Sequence, residues 1–190
     1  DLFEIAVDLG RVFDVDIVDD AQQVDIFGQR TQFTGPVDAA LTPDAFTLTA
    51  DLRAPQQTAP LFVNARLRTA VDYNRRRERF ELNSTELTSD AVALDAQGWV
   101  NDGDGEFSGA WRVGRLEALA PDLRGEAAGR WRAFRDGAGA QRAWAISVDG
   151  QGARFAGAPN VISQLLGATP RLDARMRYED GGITVSHARV

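Results

Sequence analysis

The chain has 190 residues, 21 basic and 28 acidic side chains, one histidine and no cysteine. That length supports one domain with a sizeable core. The net charge of −7 argues against nucleic acid as a partner, because phosphate binding needs a basic stripe, and the missing thiols exclude disulfides and thiolate metal sites.

Every basic residue is arginine, scattered along the chain rather than gathered at bidentate sites, which points to coding bias rather than function. No apolar run approaches the ~18 residues that a membrane helix needs. The chain starts at Asp1 and stops in mid-alternation at Val190, so the expectation is a piece of a longer, repeat-built polypeptide, with any export signal or anchor outside it.

Taken in chain order, apolar residues recur at every second position, the period of a strand with one buried face. Phe3, Ile5 and Val7 open the pattern, followed by Phe13, Val15 and Ile17, then Val24 and Ile26, then Phe46 and Leu48. From Leu61 to Tyr73 the chain reads as one strand of thirteen residues with Leu61, Val63, Leu67, Val71 and Tyr73 on its apolar side, spanning roughly 43 Å at ~3.3 Å per residue. Further sets are Phe80 and Leu82, Val92 and Leu94, Trp111 and Val113, Trp144, Ile146 and Val148, and finally Ile183 and Val185. Turn signals such as Asp19-Asp20, Gly35-Pro36, Asp136-Gly137 and Asp180-Gly181-Gly182 separate these runs at hairpin spacing. Helix is expected only as single turns, at Val161–Leu166 after Pro159-Asn160 and at Val37–Leu41 before Pro43.

The predicted fold is all-β, a long antiparallel curved sheet in one unit over residues 1–190, with at most one or two short helical turns. About a dozen strands ~4.8 Å apart would make a trough on the order of 55 to 60 Å long. Its apolar face must be covered by a second sheet, by helices or by cargo.

The chain also repeats. Leu41–Ala50 aligns with Leu87–Ala96 at an offset of 46 with six identities in ten, and Leu116, Pro121 and Leu123 align with Leu165, Pro170 and Leu172 at an offset of 49. Each pair leads into a strand. Periods of this size mark arrays of similar supersecondary units.

Chemistry-bearing patterns are sparse. Asn101-Asp102-Gly103-Asp104-Gly105-Glu106 is rich in oxygen but lacks calcium-loop spacing, so it reads as a hairpin turn. Gly150-Gln151-Gly152 has no third glycine and no following helix to hold a pyrophosphate. Arg75-Arg76-Arg77-Glu78-Arg79 reads as a solvated hairpin tip, with an anionic headgroup contact as the alternative. His187, alone, makes no metal site, and no serine stands in a nucleophile elbow. The expectation is no enzyme, no cofactor and no metal. Of the four tryptophans, Trp111, Trp131 and Trp144 fall in alternating sets, where core filling competes with ligand contact.

The phrases Leu116-Glu-Ala-Leu-Ala-Pro121-Asp-Leu123-Arg-Gly125-Glu-Ala-Ala-Gly129-Arg-Trp131 and Leu165-Leu166-Gly167-Ala168-Thr169-Pro170-Arg-Leu172 resemble those that lead into strands in TamB-like proteins. That family comprises the inner-membrane-anchored subunits of the translocation and assembly module and related AsmA-like β-groove proteins. The resemblance implies a periplasmic β-taco with a greasy interior, an anchor and an outer-membrane β-barrel partner reached through regions outside this chain, phospholipid as cargo, and a part in outer-membrane protein assembly. It implies no catalytic residues. The apolar positions named above are then the groove lining. Two readings compete: a structural module that fills its own apolar face, and a chaperone-like groove that accepts the edge strand of another polypeptide.

Overall fold

Alternation of apolar and polar residues dictates strands, and hairpin tips rich in glycine, asparagine and aspartate join neighbours in sequence. The computed structural model describes residues 16–18, 21–26, 29–54, 59–136, 143–157, 167–179 and 182–189. A small sheet holds β1 (Asp16–Val18), β2 (Ala21–Ile26) and β3 (Gln29–Phe33). A ten-stranded sheet follows: β4 (Val37–Leu41), β5 (Ala45–Arg53), β6 (Arg66–Asn74), β7 (Arg79–Thr88), β8 (Val92–Val100), β9 (Gly105–Val113), β10 (Arg124–Asp136), β11 (Ala143–Ala156), β12 (Arg171–Glu179) and β13 (Gly182–Arg189). Within each sheet every strand pairs antiparallel with its sequence neighbours, and the ten-stranded sheet stays open, with β4 and β13 as its two edges. Ten strands give a floor about 43 Å long.

Irregularities curve the sheet. The β6–β7 pairing shifts register between Ala70 and Val71, and the β7–β8 pairing between Leu82 and Thr85, as bulges do. At the tip between β8 and β9 the Asn101 side-chain oxygen accepts from the Gly103 and Asp104 amides at 3.0 and 2.7 Å, so the acidic run is a hairpin turn. The repeat at offset 46 also falls on hairpins: Thr42 bonds the Ala45 carbonyl at 3.1 Å and Ser89 the Val92 carbonyl at 3.3 Å, each with a short hydroxyl-bearing side chain closing the turn.

Two expectations need correction. The strand expected over Leu61–Tyr73 begins only at Arg66. Pro60 sets the φ of a 3-10 turn over Pro60–Phe62, Phe62 donates to the Ala59 carbonyl at 2.8 Å, and Asn64 turns the chain at φ 56°. Leu61 and Phe62 are consequently both buried, which no strand with one buried face allows. The strand of thirteen residues is instead β10. Val37–Leu41 is strand β4 and not a helical turn, because its backbone pairs with β5 from Val37↔Ala50 to Leu41↔Phe46. The second 3-10 turn is Leu116–Ala118. The helical segment expected at Val161–Leu166 lies outside the described residues.

Two clusters hold the fold. Phe33, from the end of β3, meets Phe62 edge to face with centroids 6.0 Å apart, and with Leu61, Ala65 and Ala118 caps Leu52, Leu87, Leu67 and Leu94 on one end of the sheet face. Further along, Val100, Phe107 and Ala133 are buried among Phe80, Leu82, Trp131, Trp144 and Ile146. Among the described residues no helix is long and apolar enough to cross a membrane.

A candidate hydrophobic groove

Register turns the alternating pattern of each strand into rows that run across the sheet. One row contains Ala39, Leu48, Val71, Leu82, Gly98, Phe107, Ala133, Ile146, Met176 and Val185, one residue from each of the ten strands. It carries no charge. The row one step along, on the opposite face, contains Ala40, Thr47, Asp72, Glu81, Trp99, Glu106, Phe134, Ala145, Arg177 and Thr184. One face of the open sheet is therefore apolar from edge to edge while the other is mixed and charged.

The polar face is laced with ion pairs. Arg66 grips the Asp51 carboxylate with two hydrogen bonds, one of them from Nε at 2.6 Å. That grip holds the Asp51 pKa below the usual carboxylate range and raises that of Arg66. Arg112 and Arg154 share Glu126 at 3.3 and 2.6 Å. The Arg79 guanidinium stands 4.3 Å from the centre of the Trp99 ring, so this tryptophan serves the outer face.

The apolar face is not uniformly open. Leu48, Leu67, Val92 and Leu94 pack against the cap formed by Phe33, Leu61, Phe62 and Ala118. Leu61 belongs to that cap instead of lining a groove, and Val63 sits in the turn beside it, its carbonyl accepting from the Asp90 amide at 3.0 Å. Beyond the cap, Val71, Tyr73, Phe80, Leu82, Ile146 and Val148 are half-buried, and none of them packs against the cap.

Tryptophans pave the middle of this face by lying over glycines. A β-carbon on Gly150 would stand 2.4 Å from the Trp111 ring, one on Gly105 2.9 Å from Trp144, and one on Gly109 2.8 Å from the Trp131 indole nitrogen. Trp111 and Trp144 each reach across β10 into the space that a missing side chain leaves, and Trp131 lies over Gly109, its partner on the adjacent strand. Core filling accounts for Trp131 and Trp144, which pack on the Phe107 cluster. At the rim Arg135 faces the groove beside Trp144, and its Nη1 donates to the Asn101 carbonyl at 2.8 Å.

No family model, curated protein or solved structure matches the chain.

Most of the expected lining falls together. Phe46, Leu48, Leu67, Val71, Tyr73, Phe80, Leu82, Val92, Leu94, Trp111, Val113, Trp144, Ile146, Val148 and Val185 share the apolar face, and Ile183 occupies a register position on the same side. Ile17, Val24 and Ile26 belong instead to the small separate sheet. Phe3, Ile5, Val7, Phe13 and Val15 lie outside the described residues. Sequence reasoning placed a strand entry at Leu172 but missed the lining of β12, whose Leu172, Ala174, Met176 and Tyr178 alternate with Arg171, Asp173, Arg175 and Arg177. The alternation is strict and would have found it. Phe107 and Trp131 were legible as apolar positions but not as lining. Among the described residues no group of three or more histidines or carboxylates could hold a metal.

Proposed function

We propose that this chain is a segment of periplasmic β-groove that shields phospholipid acyl chains on their way between the inner and outer membranes and supports outer-membrane protein assembly. It does so as part of a longer inner-membrane-anchored protein. The observation that carries the reading is the uncharged row from Ala39 to Val185 across ten strands. An acyl chain on such a floor exchanges one apolar contact for an equal one as it slides, so transport needs no tight site, and the headgroup stays in water at the rim. No bond is made or broken. The resemblance to TamB-like phrases at Leu116–Trp131 and Leu165–Leu172 adds the compartment and the barrel partner to the proposal.

The test is photo-crosslinking with a reactive side chain at Leu82, Ile146 or Met176 and, as neighbours on the opposite face, at Glu81, Ala145 or Arg177. Capture of phospholipid at the first three and not at the second three is the expected result. Absence of capture at all six would sink the reading. A structural module that fills its own face is the second reading, favoured by the cap over Leu67 and Leu94, and it predicts that empty outcome.

A further inference from the structure

Among the described residues Phe134 is the aromatic side chain that stands exposed, at 47%, and it lies on the charged face of the sheet, away from the groove. Antiparallel pairing sets it beside Glu106 of β9, which on its other side pairs with Trp99 of β8. Two aromatic rings therefore flank one carboxylate in a single row, at two strand spacings or about 9.6 Å. Trp99 walls a cleft of about 310 Å³ together with Glu81, Asn83, Gln97, Glu106 and Ser108. The shift of register between β7 and β8 shapes it, because Asn83 and Ser84 together stand opposite Gln97, and a bulge of this kind re-aims the side chains around it. The Arg79 guanidinium lies 4.3 Å from the centre of the Trp99 ring with its Nε 2.7 Å from Glu81, so the ring is held in place.

The side chains of this strip select a class of ligand. Its arginines are already committed to its carboxylates, Arg79 to Glu81 and Arg132 to Glu106 at 2.8 Å, which leaves no surplus positive charge for a phosphate. An acyl chain or an apolar helix would leave the carboxylates, amides and hydroxyl of the cleft without partners. A pyranose ring answers both features, since its C–H face packs on an aromatic ring while its rim of hydroxyl groups bonds to carboxylates and amides. In an extended β-linked chain alternate rings turn the same face to the same side, so two platforms a disaccharide apart meet equivalent faces. We propose that the charged face of the sheet binds an uncharged β-linked polysaccharide, with one sugar ring against the Arg79–Trp99 stack, another on Phe134, and Glu106, Gln97 and Ser108 bonding the hydroxyl groups between them. The strip lies on the side of the sheet opposite the groove and does not depend on what the groove carries.

Titration calorimetry of the 190-residue chain with cellohexaose and with hexa-N-acetylchitohexaose tests the site. Saturable binding of either hexaose is the expected result, weakened roughly tenfold by Trp99→Ala and by Phe134→Ala. Phe134→Ala removes an exposed ring and should melt with the parent, so its loss of binding reports the contact and not the fold. Met176→Asp alters the opposite face and should bind the sugar as the parent does. Binding of neither hexaose overturns the proposal. Binding that persists unchanged in both Trp99→Ala and Phe134→Ala, or that Met176→Asp abolishes, overturns it as well, because the sugar would then lie elsewhere.

Discussion

The Trp131 indole nitrogen donates to the backbone carbonyl of Asp95 at 3.2 Å, reaching from β10 over β9 to β8. The reach is possible because Gly109 lies between them. A β-carbon there would stand 1.8 Å from the Asp95 carbonyl oxygen, so the irregular stretch of β8 and the tryptophan both depend on one absent methyl group.

Gly109→Ala should therefore cost about 1 to 3 kcal/mol, the range for overpacking a tight site. Thermal unfolding with tryptophan fluorescence would show an earlier transition and a changed Trp131 environment. Gly103→Ala is the control, since nothing lies within 4 Å of its added carbon, and its midpoint should not move. Equal midpoints for the two variants would refute the argument.

Phe62 is 2% exposed and packs edge to face on Phe33, which is 1% exposed. Replacing Phe62 by alanine removes the centre of the cap and should destabilise by about 3 to 5 kcal/mol. Because both rings lose the same contact, Phe33→Ala and Phe62→Ala should be less than additive when combined. Denaturant titration of the singles and the double checks this, and strict additivity would show that the rings do not act as a unit.

The Asp51 carboxylate is held by Arg66 with a lowered pKa. A lowered folded-state value means that the contribution is present above the unfolded pKa and fades as pH falls through the folded one. The pair is partly exposed, so the effect is modest and weakens with salt. Melting temperatures of the parent and Asp51→Asn should differ near neutral pH and converge between about pH 5 and pH 2. A gap that stays constant across that range would assign it to something other than ionisation.

How far the sequence could be read depends on which residues carried the signal. Alternation alone placed Leu48, Val71, Leu82, Ile146 and Val148 on one face, because period 2 and antiparallel pairing leave little choice. It failed at Leu61, where the alternation runs on through Val63 while Pro60 and Asn64 turn the backbone and bury two consecutive side chains. A local pattern holds no information on where the chain folds back over its own sheet. Alternation is as strict in β12, where Leu172, Ala174, Met176 and Tyr178 stand between charged residues, but it is silent on the glycines beneath the tryptophans, whose meaning exists only once register brings neighbouring strands together.

The groove reading makes its sharpest prediction by comparing two leucines on the same face. Leu67 packs beneath the cap, whereas Leu82 lies beyond it on the row that runs edge to edge. Aspartate at Leu67 buries a charge among Leu52, Leu87 and the phenylalanines, so it should lower the unfolding midpoint steeply. Aspartate at Met176, half-buried near the open edge, should leave stability within about 1 kcal/mol, as surface-like sites do, while abolishing lipid capture from a probe at Ile146, its cross-strand neighbour. Aspartate at Leu82, which also touches the Phe107 cluster, should fall between the two in stability and match Met176→Asp in lipid capture. Unchanged capture in Met176→Asp, with the protein folded, would mean that the row is not a path for acyl chains.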